Sequence, residues 1–399
     1  MAAAHTPDPT PATGTAPGAA GSRAPRIAVV GGGPGGLTLA RVLETRGIPV
    51  TVFERDASPV ARQQGGMLDL HEESGQSALR TAGLLDEFLA LARPEGEEAR
   101  IAGADGAALV AHLPEPGQPA RPEVDRADLR RLLLASLRPD TVRWGRAVVS
   151  AVPAGGAAHR LVFADGTTET FDLVVGADGA WSRVRALLTD QAPVFSGVHF
   201  VEARTPGAAR DHAALAGLVG PGSLYAFEDD RGIMAQHNGD GTIRTYYVLR
   251  LPEEWLPGPA EGPAEHRAET LRKHFDGWNP VLLAPLEHSA ELIHRVLYAL
   301  PAGHRWQHRP GVTLLGDAAH LMTPFAGLGA NMAMLDAAEL GLSIAGSGDL
   351  TEAVRGYEDA MWPRAAGAAA LTEAGLAAAI SPDAPGSALR HFASVVDAG

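Results

Sequence analysis

RIAVVGGGPGGLTLARVLETRGIPVTVFER, residues 26–55, holds a complete supersecondary unit. Ile27-Ala28-Val29-Val30 is an apolar, β-branched run that halts at the glycine-rich segment Gly31 to Gly36, after which Leu37, Leu39, Ala40 and Leu43 recur at helical spacing. That order predicts strand, tight turn and helix. Gly31 permits the turn, Gly33 lets backbone approach a pyrophosphate, and Gly36 allows close helix packing, while the helix N-terminus offers unpaired N–H groups to an anion. IPVTVFER, residues 48–55, predicts a second strand that delivers Glu54 about 20 residues past the glycines, where a carboxylate accepts hydrogen bonds from a ribose diol. The register defines a dinucleotide site and leaves NAD and FAD both open.

Working outward, a chain of 399 residues exceeds what one core holds, so two interlocking domains are expected. Its 45% hydrophobic and 20% charged residues are those of a globular protein. A net charge of −14 repels a phosphate backbone and argues against nucleic acid as a partner. There is no cysteine, so disulfides, thiolate metal sites and thiol chemistry are excluded and redox work requires a borrowed cofactor. Residues 1–24 are rich in Pro, Ala, Gly and Thr and carry no apolar core segment, which predicts a disordered tail and not a signal peptide. No run reaches the ~20 apolar residues of a membrane span, and a cytoplasmic protein is expected. His304 and His308 stand four apart, but HRWQH sits between prolines and lacks the glutamate of a zinc helix, so no metal site is expected.

Two later stretches repeat the pattern of apolar strand, glycine and acid. Residues 171–185, FDLVVGADGAWSRVR, predict a buried strand ending at Gly176-Ala177-Asp178-Gly179. In residues 311–340, GVTLLGDAAHLMTPFAGLGANMAMLDAAEL, the strand Val312 to Leu315 turns at Gly316 and leaves Asp317 as an acceptor at its carboxyl end, where ligands of α/β sheets bind. Gly327 and Gly329 permit close backbone approach before a helix expected over 331–342, whose first N–H groups suit an electron-rich ring.

These motifs resemble those of the class A flavoprotein monooxygenases, in which GADG, Ser182, Val184 and Arg185 form one signature and Asp317, Pro324, Gly327, Gly329 and Asn331 another. GGMLDLHEESGQSALRTAGL (65–84) and VDRADLRRLLLASL (124–137) are similar to the branch that inactivates tetracyclines. The resemblance implies an α/β fold with a Rossmann-like FAD-binding domain, a β-sheet substrate domain and a C-terminal bridging helix. It further implies FAD contacts at Gly31, Gly33, Gly36, Glu54, Arg55, Asp69, Arg126, Asp178, Asp317, Pro324, Gly329, Ala330 and Asn331, with Arg62 assisting NADPH or NADH. The implied activity is hydroxylation of an electron-rich aromatic, polyketide or tetracycline-like small molecule by O2, through a flavin C4a-hydroperoxide, in a monomeric enzyme. A reductase of the same fold, or a ligand-sequestering flavoprotein, is the competing reading. Where the tetracycline enzymes hold the drug with a glutamine and an arginine, this chain has Glu202 and Ser223, and Leu328 replaces the glutamine before the second glycine of PFAGLG. Chemistry rather than substrate carries over.

By the same resemblance, residues 25–81, 112–182 and 300–340 form the FAD-binding domain, and 82–111 with 183–299 the substrate domain. SLYAFEDD, GIMAQHN and TIRTYYVLR predict an antiparallel sheet in which Arg244 and Tyr246 share a face opposite Ile243 and Tyr247. Glu202, Tyr225, Arg244, Tyr246 and Gly327 are the expected substrate contacts. Residues 349–380 predict a helix capped by Asp349 or Thr351 and kinked at Pro363.

Overall fold

The computed structural model describes residues 23–113, 121–257 and 264–396; all but the last two residues of the tail expected at 1–24 lie outside the described residues. Five parallel strands form the first sheet, in the order Val312–Leu314, Leu173–Gly176, Ile27–Val30, Val50–Phe53 and Val142–Arg143. Every residue of Ile27–Val30 and Leu173–Gly176 is buried, as a parallel sheet covered on both faces requires. The helix Pro34–Thr45 follows the glycine turn directly, with Pro34 at a first-turn position where a missing N–H costs nothing.

Two glycines of that turn are sterically obligatory. Gly31 has φ +110°, and a Cβ on it would lie 2.2 Å from the Ala177 carbonyl oxygen; a Cβ on Gly36 would lie 2.1 Å from the Gly31 oxygen. The helix Leu328–Gly346, which starts three residues before the expected 331, packs on Pro34–Thr45 so closely that a Cβ on Gly341 would meet Val42 at 2.6 Å.

The second sheet has seven strands, in the order Ile293–Ala299, Val194–Thr205, Ile243–Arg250, Arg231–His237, Ser223–Glu228, Ala99–Ala102 and Ala108–His112. All neighbours pair antiparallel except Ser223–Glu228 with Ala99–Ala102. Strand alternation splits its side chains. Val201, Ala203, Ile233, Ile243 and Tyr247 enter a core capped by the helical segments around Leu215, Leu271 and Leu282. Phe200, Tyr225, Met234, Arg244 and Tyr246 occupy the other face, which looks toward Phe325 and the cofactor-type sheet.

Leu350–Ala379 bridges the two halves. Asp349 caps it by accepting the Thr351 N–H at 2.7 Å. Val354, Tyr357 and Met361 join the core of the parallel sheet, whereas Leu376 and Ala379 pack with Phe200 and Phe227 of the antiparallel one. The helix runs on as one element through Pro363, because packing at both ends offsets the single hydrogen bond that proline removes. Among the described residues no helix is long and apolar enough to cross a membrane.

Replacing Gly36 with alanine forces a methyl group into the Gly31 carbonyl and is expected to destabilise the chain by about 3 kcal/mol. Thermal unfolding checks this, and a wild-type midpoint would contradict the close approach.

Candidate functional site

The three glycine-and-acid turns, far apart in sequence, meet at the carboxyl ends of the parallel strands. Gly31 abuts Ala177 and Asp178 of the second turn, and Gly35 abuts Leu315 and Ala333 of the third. Gly327, at φ +66°, passes Asp69 so closely that a Cβ would lie 3.0 Å from Oδ1. Residues 324–330, with Pro324 opening a short 3-10 turn, all retain solvent contact, and the helix from Leu328 begins with Gly329 and Ala330 in that open stretch. They form one wall of a cleft.

Asp317 lies at the bottom of it. The residue is open to solvent, yet its carboxyl is surrounded by protein, and this burial raises its pKa against the opposing pull of His320 and Arg126. Both statements hold for a group lining a deep re-entrant surface. Arg126 is similarly deep, and burial lowers its pKa although Asp317 supports its charge. Arg126 N donates to Gly66 O at 3.1 Å, which fixes the start of the helix Arg126–Ala135 to the loop before Met67–Asp69.

At the other end, Glu54 is buried and bound to the first turn, accepting from Gly32 N at 2.8 Å and from Asp56 N at 2.9 Å. Gly33 faces open space. Arg55 is exposed, and half-exposed Arg62 donates through Nε to Asp56 at 2.8 Å, so Arg62 is held at the rim.

Two further expected contacts also bond to neighbouring protein groups. Asp178 accepts from Ser182 Oγ at 2.6 Å and from Arg183 N at 2.7 Å, closing its own loop. Asn331 is fully buried. Its Oδ1 accepts from His71 N, Ser74 Oγ and Gly75 N, while Nδ2 donates to the Asp69 and Gly327 carbonyls. It fastens the 69–76 loop to the 327 turn and has no side-chain valence left for a ligand.

The opposite wall is the tyrosine-bearing face of the seven-stranded sheet. Burial raises the pKa of both Tyr225 and Tyr246, so both stay neutral phenols at physiological pH. Gly66 passes beside Tyr246; a Cβ there would lie 3.1 Å from Tyr246 OH and 2.6 Å from Gln236 Oε1. Glu202, expected as a substrate contact, is enclosed by charge partners. It is 1% exposed, and its two oxygens accept from Arg204 at 2.8 Å, Arg244 at 2.7 Å and Arg295 at 3.2 Å. Burial raises its pKa, but the three guanidinium groups outweigh that and hold it below the ordinary value. The cluster leaves Arg244 and half-exposed Arg295 as the charged groups near the face, and ties Arg204 to Gln63 and Arg244 to the Gln64 carbonyl at 3.3 Å.

Several residues of the site escape a sequence reading. Arg130, buried on an otherwise leucine-rich helix side, donates to Gly32 O at 3.3 Å and Pro59 O at 2.7 Å. Nothing in RADLRRLLLA distinguishes it from Arg131, which is exposed. Asp336 and Glu358 do leave a signal, each being an acid inside a largely apolar helical run, a position tolerated only with partners.

With this geometry in place, comparison with known proteins is direct. The model of the FAD binding domain family matches residues 25–352. Monooxygenase penA of Penicillium thymicola is 31% identical, over 87% of this chain and 93% of that protein. The 3-amino-4-hydroxybenzoate 2-monooxygenase of Streptomyces cremeus is 34% identical, over 86% of this chain and 84% of that protein. Among solved structures, tetracycline destructase Tet(51) superposes with a TM-score of 0.72 at 19% identity, covering 94% of this chain and 96% of its own, a likeness of fold. The chain belongs to the FAD binding domain family and is an FAD-dependent flavoprotein monooxygenase.

Removing the Glu202 carboxylate strands three guanidinium groups around a buried position. Glu202→Ala is expected to cost about 3 kcal/mol of stability in urea titration, with Glu202→Gln costing less; two variants as stable as wild type would contradict the cluster's anchoring role.

Proposed function

We propose that the enzyme uses NADPH or NADH and one atom of O2 to hydroxylate an electron-rich aromatic, polyketide or tetracycline-like small molecule. The observation that supports this best is the placement of Arg126 near both Asp317 and Tyr246, which brings the third glycine turn and the tyrosine-bearing face together. The residues present fit FAD: Gly33 opens on free space beside the first turn, and Glu54 is bonded to that turn. Bound FAD supplies electron storage and oxygen activation.

Glu54 and Arg130 would hold the adenosine end. Asp317 would accept from the ribityl chain with Arg126 balancing its charge, and the first N–H groups of Leu328–Gly346, at Gly329 and Ala330, would donate to the ring. Asp178 and Asn331 act one step back, by shaping the loops that carry these groups. Tyr225 and Tyr246, kept neutral, would orient a polar ring by hydrogen bonding, with the backbone of Gly327, packed against Asp69, as a further contact. Arg62, half-exposed beside Asp56, would receive a phosphate of the reductant. The hydroxybenzoate monooxygenase relative supports an aromatic substrate. A monomeric, cytoplasmic enzyme is part of the same proposal.

Asp317→Ala is expected to release most of the FAD, seen as lost yellow colour after gel filtration; full retention refutes the ribityl role. The activity itself is tested with a panel of phenols, hydroxylated aromatic acids and tetracyclines. Substrate-stimulated NADPH oxidation should consume O2 and yield a product heavier by one oxygen atom, whereas NADPH oxidation that proceeds without O2 identifies a reductase.

A further inference from the structure

Beneath the Asp317 turn lies a set of ionisable groups that no cofactor or substrate role accounts for. Asp336, fully buried on Leu328–Gly346, accepts from Gly316 N at 3.0 Å and from Arg364 of the bridging helix at 3.0 Å, and its Oδ2 lies 2.6 Å from His320 Nε2. Gly316 carries the strained backbone (φ +58°, ψ −143°) on which Asp317 follows. The far side of His320 is different. Its Nδ1 is buried without a hydrogen-bond partner among the described residues, and so is Nε2 of His304. Both histidines line one small cavity of about 10 Å³, completed by Leu300, Leu321 and alanines of the bridging helix. That volume matches one water molecule, about 10–15 Å³ on this measure, and the two unpartnered nitrogens are the polar contacts that a buried water there needs.

We propose that this cavity binds one water joining His304 to His320, and that the two histidines form a proton path between solvent and the His320–Asp336 pair beneath the Asp317 turn. In the resting arrangement the His320 imidazolium donates from Nε2 to Asp336 and from Nδ1 to the water, which donates to Nε2 of neutral His304. One proton then moves: the Nδ1–H bond of His320 breaks, a water O–H bond forms as another breaks, and an Nε2–H bond forms on His304. His304, partly exposed, passes its Nδ1 proton to solvent. Charge is conserved and no electron is transferred.

The surroundings fix where the proton rests. Burial alone disfavours an imidazolium at His320, but Asp336 and then Asp317 outweigh it and raise its pKa; burial, Arg185 and His320 lower that of His304. The remaining charged neighbours are Arg364, which also pairs with Glu339, and Arg185, which donates to the Ala318 carbonyl at 3.0 Å. His320 therefore contributes stability that is complete below the ordinary imidazole pKa and is lost as pH rises through its raised value. Asp336, whose pKa His320 and Arg364 lower against burial, contributes stability that is lost only as pH falls through its depressed value. The Asp317 turn is held firmly from weakly acid to neutral pH, and the path sets how quickly that hold responds to a change in solvent pH.

The test uses the full-length, FAD-supplemented protein in two measurements. High-resolution diffraction should reveal a water within hydrogen-bond distance of both ring nitrogens. In ¹⁵N-histidine NMR, His304→Leu should slow proton exchange at His320 Nδ1 about tenfold or more, leaving only exchange by local opening. Should His304→Leu fail to fold, His304→Gln accepts from the water without relaying a proton and must show the same slowing with the water retained. An empty cavity in the wild-type crystal, or wild-type exchange in the folded variant, overturns the proposal.

Discussion

The arrangement rests on close approach of bare backbone at the carboxyl end of the parallel sheet. The Ala177 carbonyl occupies the space a side chain at residue 31 would need, and the Gly31 carbonyl the space of one at residue 36. Only glycine permits the first turn to tuck under the second strand's exit while the helix Pro34–Thr45 starts immediately above it. Once that crossing is set, Gly35 brings Leu315 and Ala333 into contact, and the Asp317 turn has one place to go. The cleft is a product of missing side chains.

Charge buried around that crossing gives the elements a unique register. Three acids perform this task in three places. Asp336 joins the Gly316 turn to the bridging helix through Arg364. Glu358, on that helix, accepts from Thr313 Oγ1 and Trp306 Nε1 and contacts His308, tying the helix to the strand Val312–Leu314. Glu202 links adjacent strands of the antiparallel sheet to the loop at Gln63 and Gln64. Each carboxylate is nearly or wholly inaccessible, so each demands its full set of donors, and a shifted register leaves some of them unmet.

The bridging helix couples the two walls. Its first half packs under the parallel sheet and its last turns lie with Phe200 and Phe227 against the tyrosine-bearing face, so one helix touches both sheets. Positioning and the exclusion of water are the contributions a protein makes when its cofactor carries the reactive chemistry.

The sequence by itself determined the strand–turn–helix unit at 26–55, the two later glycine-and-acid turns, the alternation in TIRTYYVLR that puts Tyr246 and Tyr247 on opposite faces, and the Asp349 cap. These are local facts, written in periodicity and in residues that only certain backbones accept. What tertiary structure decided is which polar atoms remain free. Asn331 sits in a glycine-rich motif yet has its valences filled by the 69–76 loop and the Gly327 turn; Glu202 lies on the tyrosine-bearing face yet is enclosed by arginines from three strands; Arg130 reaches the first turn although its neighbour Arg131 is exposed. A hydrogen-bond partner hundreds of positions away leaves no trace in local spacing, because satisfaction of a buried group is settled by the packed three-dimensional arrangement alone.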